Sequence, residues 1–349
     1  MAIVPVMTLR IGIFRAGVIT LACVGLAAAG CSSSSNSGKS VNTKPAVSGT
    51  ANVAYAASLT YLNETVFGPA FAKATGYKYV GTAGPSDGLS AEIAAKTIFP
   101  NVFISVGGTP IADLGAKFTK WYVQYASTQI VVAYNPSSKY APQFKAIASG
   151  KKPLKDLFTL MQQPGFKLGR TDPNIDPQGR AFIYMLELAQ MTYHLPTDTV
   201  TKILGGPLAS TKSNQIFEET ALDSRLQAGQ VDAASAYLSQ ARQLHLHYIS
   251  LPPDLNLGEA ALAAQYAKAS ITITGTTGKE TKTGGPLVLD ITTISGAKDP
   301  AAGNAFVAYV LSPAGRALYA NRGGYTLLKP TLTGPMNAVP ASIRNELGG

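Results

Sequence analysis

Cysteine is nearly absent from this 349-residue chain: the two present, Cys23 and Cys31, both fall within the first forty positions. Everything after Cys31 lacks a thiol for a disulfide, a zinc site or a nucleophile, and must stand on its apolar core. Histidine is scarce as well, with only His194, His245 and His247. His245 and His247 would share one face of a strand, a weak metal-site pattern with no third ligand nearby. There is no Gly-x-Ser-x-Gly elbow of the kind a hydrolase uses. Gly275-Thr276-Thr277-Gly278-Lys279 lacks the spacing of a phosphate loop. No repeat of fixed period and no heptad run is present. Basic residues outnumber acidic ones, 29 to 19, for a formal charge of +10. They are scattered rather than clustered, so nothing tracks a phosphate backbone and nucleic acid is not an expected partner. Scattered positive charge serves solubility and surface attraction. Trp121 and the tyrosines read as core and cleft wall, not as a carbohydrate platform.

What is present begins with an export signal. Arg10 and Arg15 form a positive start, Ala16–Ala29 an apolar run, and small residues precede Cys31. The run is shorter than the roughly 20 residues that a membrane span needs. Ala29-Gly30-Cys31 resembles the lipobox of bacterial lipoproteins. That resemblance implies a signal peptide over residues 1–30 and an acyl chain on Cys31, holding the mature chain to the outer face of the cell membrane. An uncleaved anchor helix is the alternative, and it too puts the remainder outside. Residues 31–50, rich in serine and other small polar residues, read as a flexible tether.

The fold is expected to start at Ala51. Asn52–Ala57 reads as a strand, and Ser58 stands where a helix N-cap belongs, ahead of Leu59, Leu62, Val66, Phe67 and Phe71 at helical spacing. Gly76 ends that helix. Tyr77–Val80 is a second strand, Gly81–Ser90 a Gly/Ser loop, Ala91–Thr97 a short helix and Asn101–Val106 a third strand. This alternation predicts a parallel α/β unit. After the apolar strand Gln129–Tyr134 the pattern resumes. Phe166–Gly169 is a short strand, Arg170–Gly179 a polar loop and Arg180–Tyr193 a helix. Thr220–Ala228 is a further helix, and Ala233–Tyr237 and Tyr248–Leu251 are strands. Thr272–Gly285 reads as a surface excursion, Pro286–Thr293 as a returning strand and Asp299–Asn321 as a final amphipathic helical segment. The expectation is two α/β lobes, residues 51–129 plus 286–349 and residues 130–285, hinged about a closable cleft.

Helix N-termini offer unpaired N–H groups and a partial positive end, and adjacent hydroxyls add donors. Ser58 and Ser86 each follow a strand and begin a helix, so both are candidate ligands for a small oxyanion. Either alone could be an ordinary capping or turn serine.

Several segments resemble, in order and spacing, the tungstate/molybdate-binding proteins of ABC importers, in the branch typified by archaeal receptors. They are Ala56-Ala57-Ser58-Leu59-Thr60, Ala83-Gly84-Pro85-Ser86, Trp121–Tyr134 and Asp172-Pro173-Asn174-Ile175-Asp176-Pro177-Gln178-Gly179-Arg180. Further matches are Leu226-Gln227-Ala228-Gly229-Gln230-Val231-Asp232 with Tyr237, Ile249-Ser250-Leu251-Pro252 and Phe306–Arg316. Together they cover most of residues 51–327. The resemblance implies a two-lobe periplasmic-binding-protein-like fold of type II. It implies that two serines hold the oxyanion while an Asp and a Glu approach the metal atom itself. Those positions are Ser58, Ser86, Asp176 and Glu219, with Glu218 as the neighbour that could replace Glu219. Tyr237 matches a tyrosine that can donate to an oxo group. No cofactor and no catalysis are implied. The expected partners are an ABC permease and ATPase, and the chain is expected to be a monomer.

A carboxylate beside a tetraoxo dianion is repelled unless its oxygen meets a hard, high-valent metal centre. The two acids therefore favour molybdate or tungstate over sulfate or phosphate. Another oxyanion, or a small organic acid, is the competing ligand. An exported hydrolase using Ser58 or Ser86 with a histidine is the competing enzyme, and an adhesive lipoprotein is a third possibility. The chain departs from the family pattern in four places. Ala57 replaces a common Gly, Pro85 adds a residue ahead of Ser86, Asn101 replaces a common Asp, and Arg170 and Asp172 sit in the acidic-loop segment.

Overall fold

The structure, a computed structural model, describes residues 47–275 and 278–348. Cys31, the signal and most of the tether lie outside the described residues.

Six strands build the first sheet: β1 (Thr50–Ala56), β2 (Lys78–Gly84), β3 (Val102–Val106), β4 (Tyr122–Ser127), β11 (Val288–Thr293) and β12 (Thr326–Thr333). Their order is β12-β4-β11-β3-β1-β2. β1 runs parallel to β2 and β3, whereas β11 is antiparallel to β3 and β4. The second sheet holds β5 (Ile130–Tyr134), β6 (Leu168–Gly169), β7 (Ala233–Tyr237) and β8 (His247–Ile249), in the order β6-β7-β5-β8. Every residue of β3, β5 and β7 is buried, as apolar runs in strands covered on both faces should be. The chain passes from the first sheet to the second through Thr128 and Gln129, and returns ahead of β11. The two crossings lie side by side, with the Thr128 N–H donating to the Leu287 carbonyl at 3.0 Å.

Three expectations need correction. Ser58 does not cap a helix: Ala56 occupies the cap position, and Ser58 lies inside a short 3-10 turn, Ala57–Leu59. The helical path continues through a π turn, Asn63–Phe67, into the helix Gly68–Thr75, and ends at Gly76 with φ 82°. Phe67 packs edge-on against Phe306 at 5.4 Å and Tyr319 at 5.3 Å, pinning this segment to the C-terminal helices. The Gly81–Ser90 stretch is not a loop. β2 runs to Gly84, and a helix occupies Ser86–Ala94 with Pro85 alone between them. Proline's fixed φ pre-sets that sharp turn. Residues 270–283 are not a loose excursion but an antiparallel pair, β9 (Ser270–Gly275) and β10 (Gly278–Thr283). Ile271 and Ile273 anchor the pair by burying one face. The helical segment Asp299–Asn321 divides into two helices, Pro300–Leu311 and Pro313–Asn321. Ser312 stands between them in an extended conformation, as a residue preceding proline prefers.

Candidate functional site

The C-terminal end of β1 delivers Ser58 and that of β2 delivers Ser86. Both are buried. The Ser58 hydroxyl has no hydrogen-bond partner among the described residues. The Ser86 oxygen accepts the Val106 N–H at 3.2 Å, which leaves its own O–H free to donate. Pro85 has therefore not pushed Ser86 out of the interior.

Asp176 caps the long helix Pro177–Thr192, its Oδ1 accepting the Gln178 N–H at 2.8 Å. The loop before it folds tightly. A Cβ on Gly179 would stand 2.5 Å from the Thr171 carbonyl oxygen, so only glycine lets this loop lie against the helix start. Glu219 begins the helix Glu219–Gln227 and is buried, whereas Glu218 is exposed and caps that helix by accepting the Ala221 N–H at 3.1 Å. Of the two glutamates, Glu219 faces the interior. Tyr237 ends β7, is buried, and its hydroxyl is without a partner among the described residues.

Asp176, Glu219, Tyr237 and the Ser58 backbone act on one another electrostatically. Burial, offset by the Gln178 amide and by Arg180, raises Asp176 to about 6. Burial and then the nearby Asp176 push Glu219 well above the usual carboxylate range, against the pull of the Ser58 backbone amide. Burial, Asp176 and Glu219 raise the Tyr237 hydroxyl. Ser58 stands on the first-sheet side and Glu219 on the second, so the site spans both halves of the molecule.

Sequence reasoning missed what holds the acids. Gln178 is fully buried, and its Nε2 donates to Glu219 Oε1 and, at 3.1 Å, to Gln240 Oε1. Its Oε1 accepts the Ser235 hydroxyl at 2.9 Å. Gln240 Nε2 donates to Asp223 Oδ2 at 2.6 Å, and burial raises Asp223 to about 7. One glutamine thus binds Asp176 through its backbone and Glu219 through its side chain. It occupies the variable position of the Asp-Pro-x-Gly motif, where spacing gives no signal. A cavity of about 300 Å3 opens beside Ser58, with Thr60, Glu64, Thr220, Asp223 and Gln240 on its wall. Arg170 does not pair with Asp172. Its Nε donates to Gln215 Oε1 at 3.3 Å, and burial lowers it to about 10. Neither His245 nor His247 joins a metal-holding group, and no such group of three or more His, Cys, Asp or Glu occurs among the described residues.

Two sheets joined by paired crossings thus bring polar groups from both to one place. The chain matches the family described as bacterial extracellular solute-binding protein over residues 51–325, and it belongs to that family. Among its relatives, the molybdate/tungstate-binding protein WtpA of Thermococcus kodakarensis is 29% identical over 218 residues, 58% of this chain and 59% of that one. WtpA of Pyrococcus abyssi is 29% identical over 243 residues, 65% of this chain and 67% of that one. An uncharacterized solute-binding protein of Petrotoga mobilis is 29% identical over 216 residues, 61% of this chain and 64% of that one. The chain thus matches about three fifths of the length of such relatives. The periplasmic molybdate-binding protein of Azotobacter vinelandii superposes with a TM-score of 0.53 at 18% identity, covering 79% of this chain and 99% of that one. AgtB of Agrobacterium tumefaciens R10, solved with agropinic acid, also gives 0.53, at 13% identity over 80% of this chain and 82% of that one. Equal likeness to binders of such different molecules fixes the fold and leaves the ligand to the site.

Proposed function

We propose that this chain captures molybdate or tungstate between its two sheets and delivers it to an ABC permease driven by an ATPase. The lobes are residues 51–129 plus 286–349 and residues 130–285, hinged at the paired crossings. The protein is exported, tethered by a lipid on Cys31, and works as a monomer without a cofactor. No described helix is long and apolar enough to cross a membrane.

One observation carries this reading. Two buried acids, Asp176 and Glu219, are gathered beside two buried hydroxyls, Ser58 and Tyr237, that have no partner among the described residues. Buried polar groups are ordinarily paired, so unpaired donors mark a place for a ligand. Ser58, Ser86 and Tyr237 donate to oxo groups. Asp176 and Glu219, as carboxylates, offer lone pairs to the metal atom, a role that sulfate or phosphate cannot use. The ligand draws the lobes together by touching both, a shift in population rather than a reaction.

Calorimetric titration with molybdate, tungstate, sulfate and phosphate tests this. Wild type should prefer the two metal oxyanions. Asp176→Ala and Glu219→Ala should each cost on the order of a hundredfold or more in that affinity, as loss of a buried charged contact does. Equal binding of sulfate, or indifference to both substitutions, would overturn the reading.

A further inference from the structure

We propose that the ion pair between Arg180 and Asp87 is a spacer that sets how closely the two halves of the anion site approach, and so helps to select the ion by size. The proposal rests on the oxyanion reading above. Asp87 directly follows Ser86, and Arg180 stands one helical turn beyond Asp176. Arg180 Nη2 lies 2.5 Å from Asp87 Oδ2, with the side chains only 9% and 17% exposed. Its Nη1 donates to the Pro173 carbonyl at 3.0 Å. One guanidinium therefore grips the start of the Ser86 helix and the loop that carries Asp176.

A guanidinium donates in fixed, coplanar directions, so it holds two partners at a defined separation where a lysine would not. The other ion pair to the first-sheet side among the described residues is weaker. Lys282 Nζ lies 3.9 Å from Asp113 Oδ2, Asp113 is 57% exposed, and Glu280 holds the same ammonium at 2.9 Å. A long, solvated contact of that kind contributes little. Arg180 is also a cation that acts on both Asp176 and Tyr237. With Asp87 and Pro173 taking its terminal nitrogens, it positions the site rather than ligating the ion. The pair sits beside Ser86 on one side and Asp176 on the other, so its length fixes the gap between them. A gap suited to molybdate or tungstate is too wide for the smaller sulfate.

The test compares full-length wild type, Asp87→Asn, Arg180→Lys and the double variant, titrated with molybdate, tungstate and sulfate. Each single change should weaken molybdate about tenfold and lower the molybdate-to-sulfate ratio. The double variant should bind no more weakly than the worse single, because the pair is already broken. A ratio unchanged within about twofold, or losses that multiply in the double variant, would overturn the proposal. Hydrogen exchange on the ligand-free chain separates this from the ligand assignment. Asp87→Asn should speed exchange across the cleft, at residues 172–179, and unchanged rates there would sink the spacer. A wild type that ignores all three anions would overturn the oxyanion reading and leave the exchange result to decide whether the tie exists.

Discussion

The two sides of the cleft are built by different means. On the first-sheet side, Ser58 and Ser86 are set chiefly by backbone: each stands within two residues of a strand end, at the start of a helical turn. On the second-sheet side, Asp176, Glu219 and Tyr237 come from segments separated in sequence and joined by the Gln178 and Gln240 amides. A side chain placed by backbone is lost singly. A side chain placed by a network falls with its hub, since buried polar networks cost most when partly satisfied. Gln178→Leu should therefore strike harder than the loss of one donor. It leaves Glu219, Ser235 and Gln240 each short of a partner. Oxyanion affinity should drop on the order of a hundredfold, in company with a lower melting temperature. Calorimetry and a thermal melt of the same preparation check both. Ser58→Ala removes one hydroxyl and disturbs nothing else that bonds to it. It should cost about tenfold in affinity with the melting temperature of the ligand-free protein unchanged.

Acidity separates the two sides as well. If the carboxyls meet a metal atom they must do so ionised, and burial has raised Asp176 to about 6. The liganded form then binds fewer protons than the free form, so molybdate affinity should fall as the pH drops through that value, by about tenfold between pH 7 and pH 5 from Asp176 alone, with Glu219, raised further by burial, steepening the fall. Sulfate, gripped only by hydroxyl and amide donors, should show the opposite trend, because neutral acids repel it less. Titration in buffers of different ionisation enthalpy would show proton release with molybdate and proton uptake with sulfate. Parallel pH trends for the two ions would remove the distinction between donor side and acid side.

Much of this arrangement was legible in the sequence because it is local. Strand ends followed by serine, the Asp-Pro-Asn-x-Asp-Pro-x-Gly segment and the apolar β3 and β5 all announce themselves within a few residues. What was not legible depends on distant partners. The Gly81–Ser90 stretch reads as a loop by composition, yet β2 continues through it because β1 offers a full parallel ladder as far as Gly84. β12 has too little apolar alternation to be seen, and forms because the edge of β4 is free to pair. Residues 274–283 are polar throughout, and only the burial of Ile271 and Ile273 on β9 shows why the pair forms. Gln178 is the clearest case: its three side-chain partners lie 41, 57 and 62 residues away, beyond the reach of any motif.

Asp290 supplies the contrast to Asp176 that should leave binding untouched. It lies in β11, opposite Ser105 of β3, fully buried, and neither carboxyl oxygen has a partner among the described residues. Burial alone raises it from 3.8 to about 7. An acid whose folded value lies above its unfolded value is harder to ionise in the folded state. Below pH 4 both states hold the proton and the group costs nothing. Between about pH 4 and pH 7 the unfolded chain releases the proton while the folded one keeps it, and stability is lost steadily. Above pH 7 the loss is complete, at most about 4 kcal/mol for such a shift. Asp290→Asn removes the titration while leaving a buried polar group in place, so it abolishes the slope without restoring a hydrogen bond. The melting temperature of the variant relative to wild type should therefore rise from pH 4 to pH 7 and level off above, by about 2 °C per kcal/mol for a chain of this size. Molybdate affinity should be the same in both at pH 7.5. A flat difference across that pH range would mean that Asp290 is paired in solution. A change in affinity would mean that the first-sheet side is not the rigid backbone frame that its serines require.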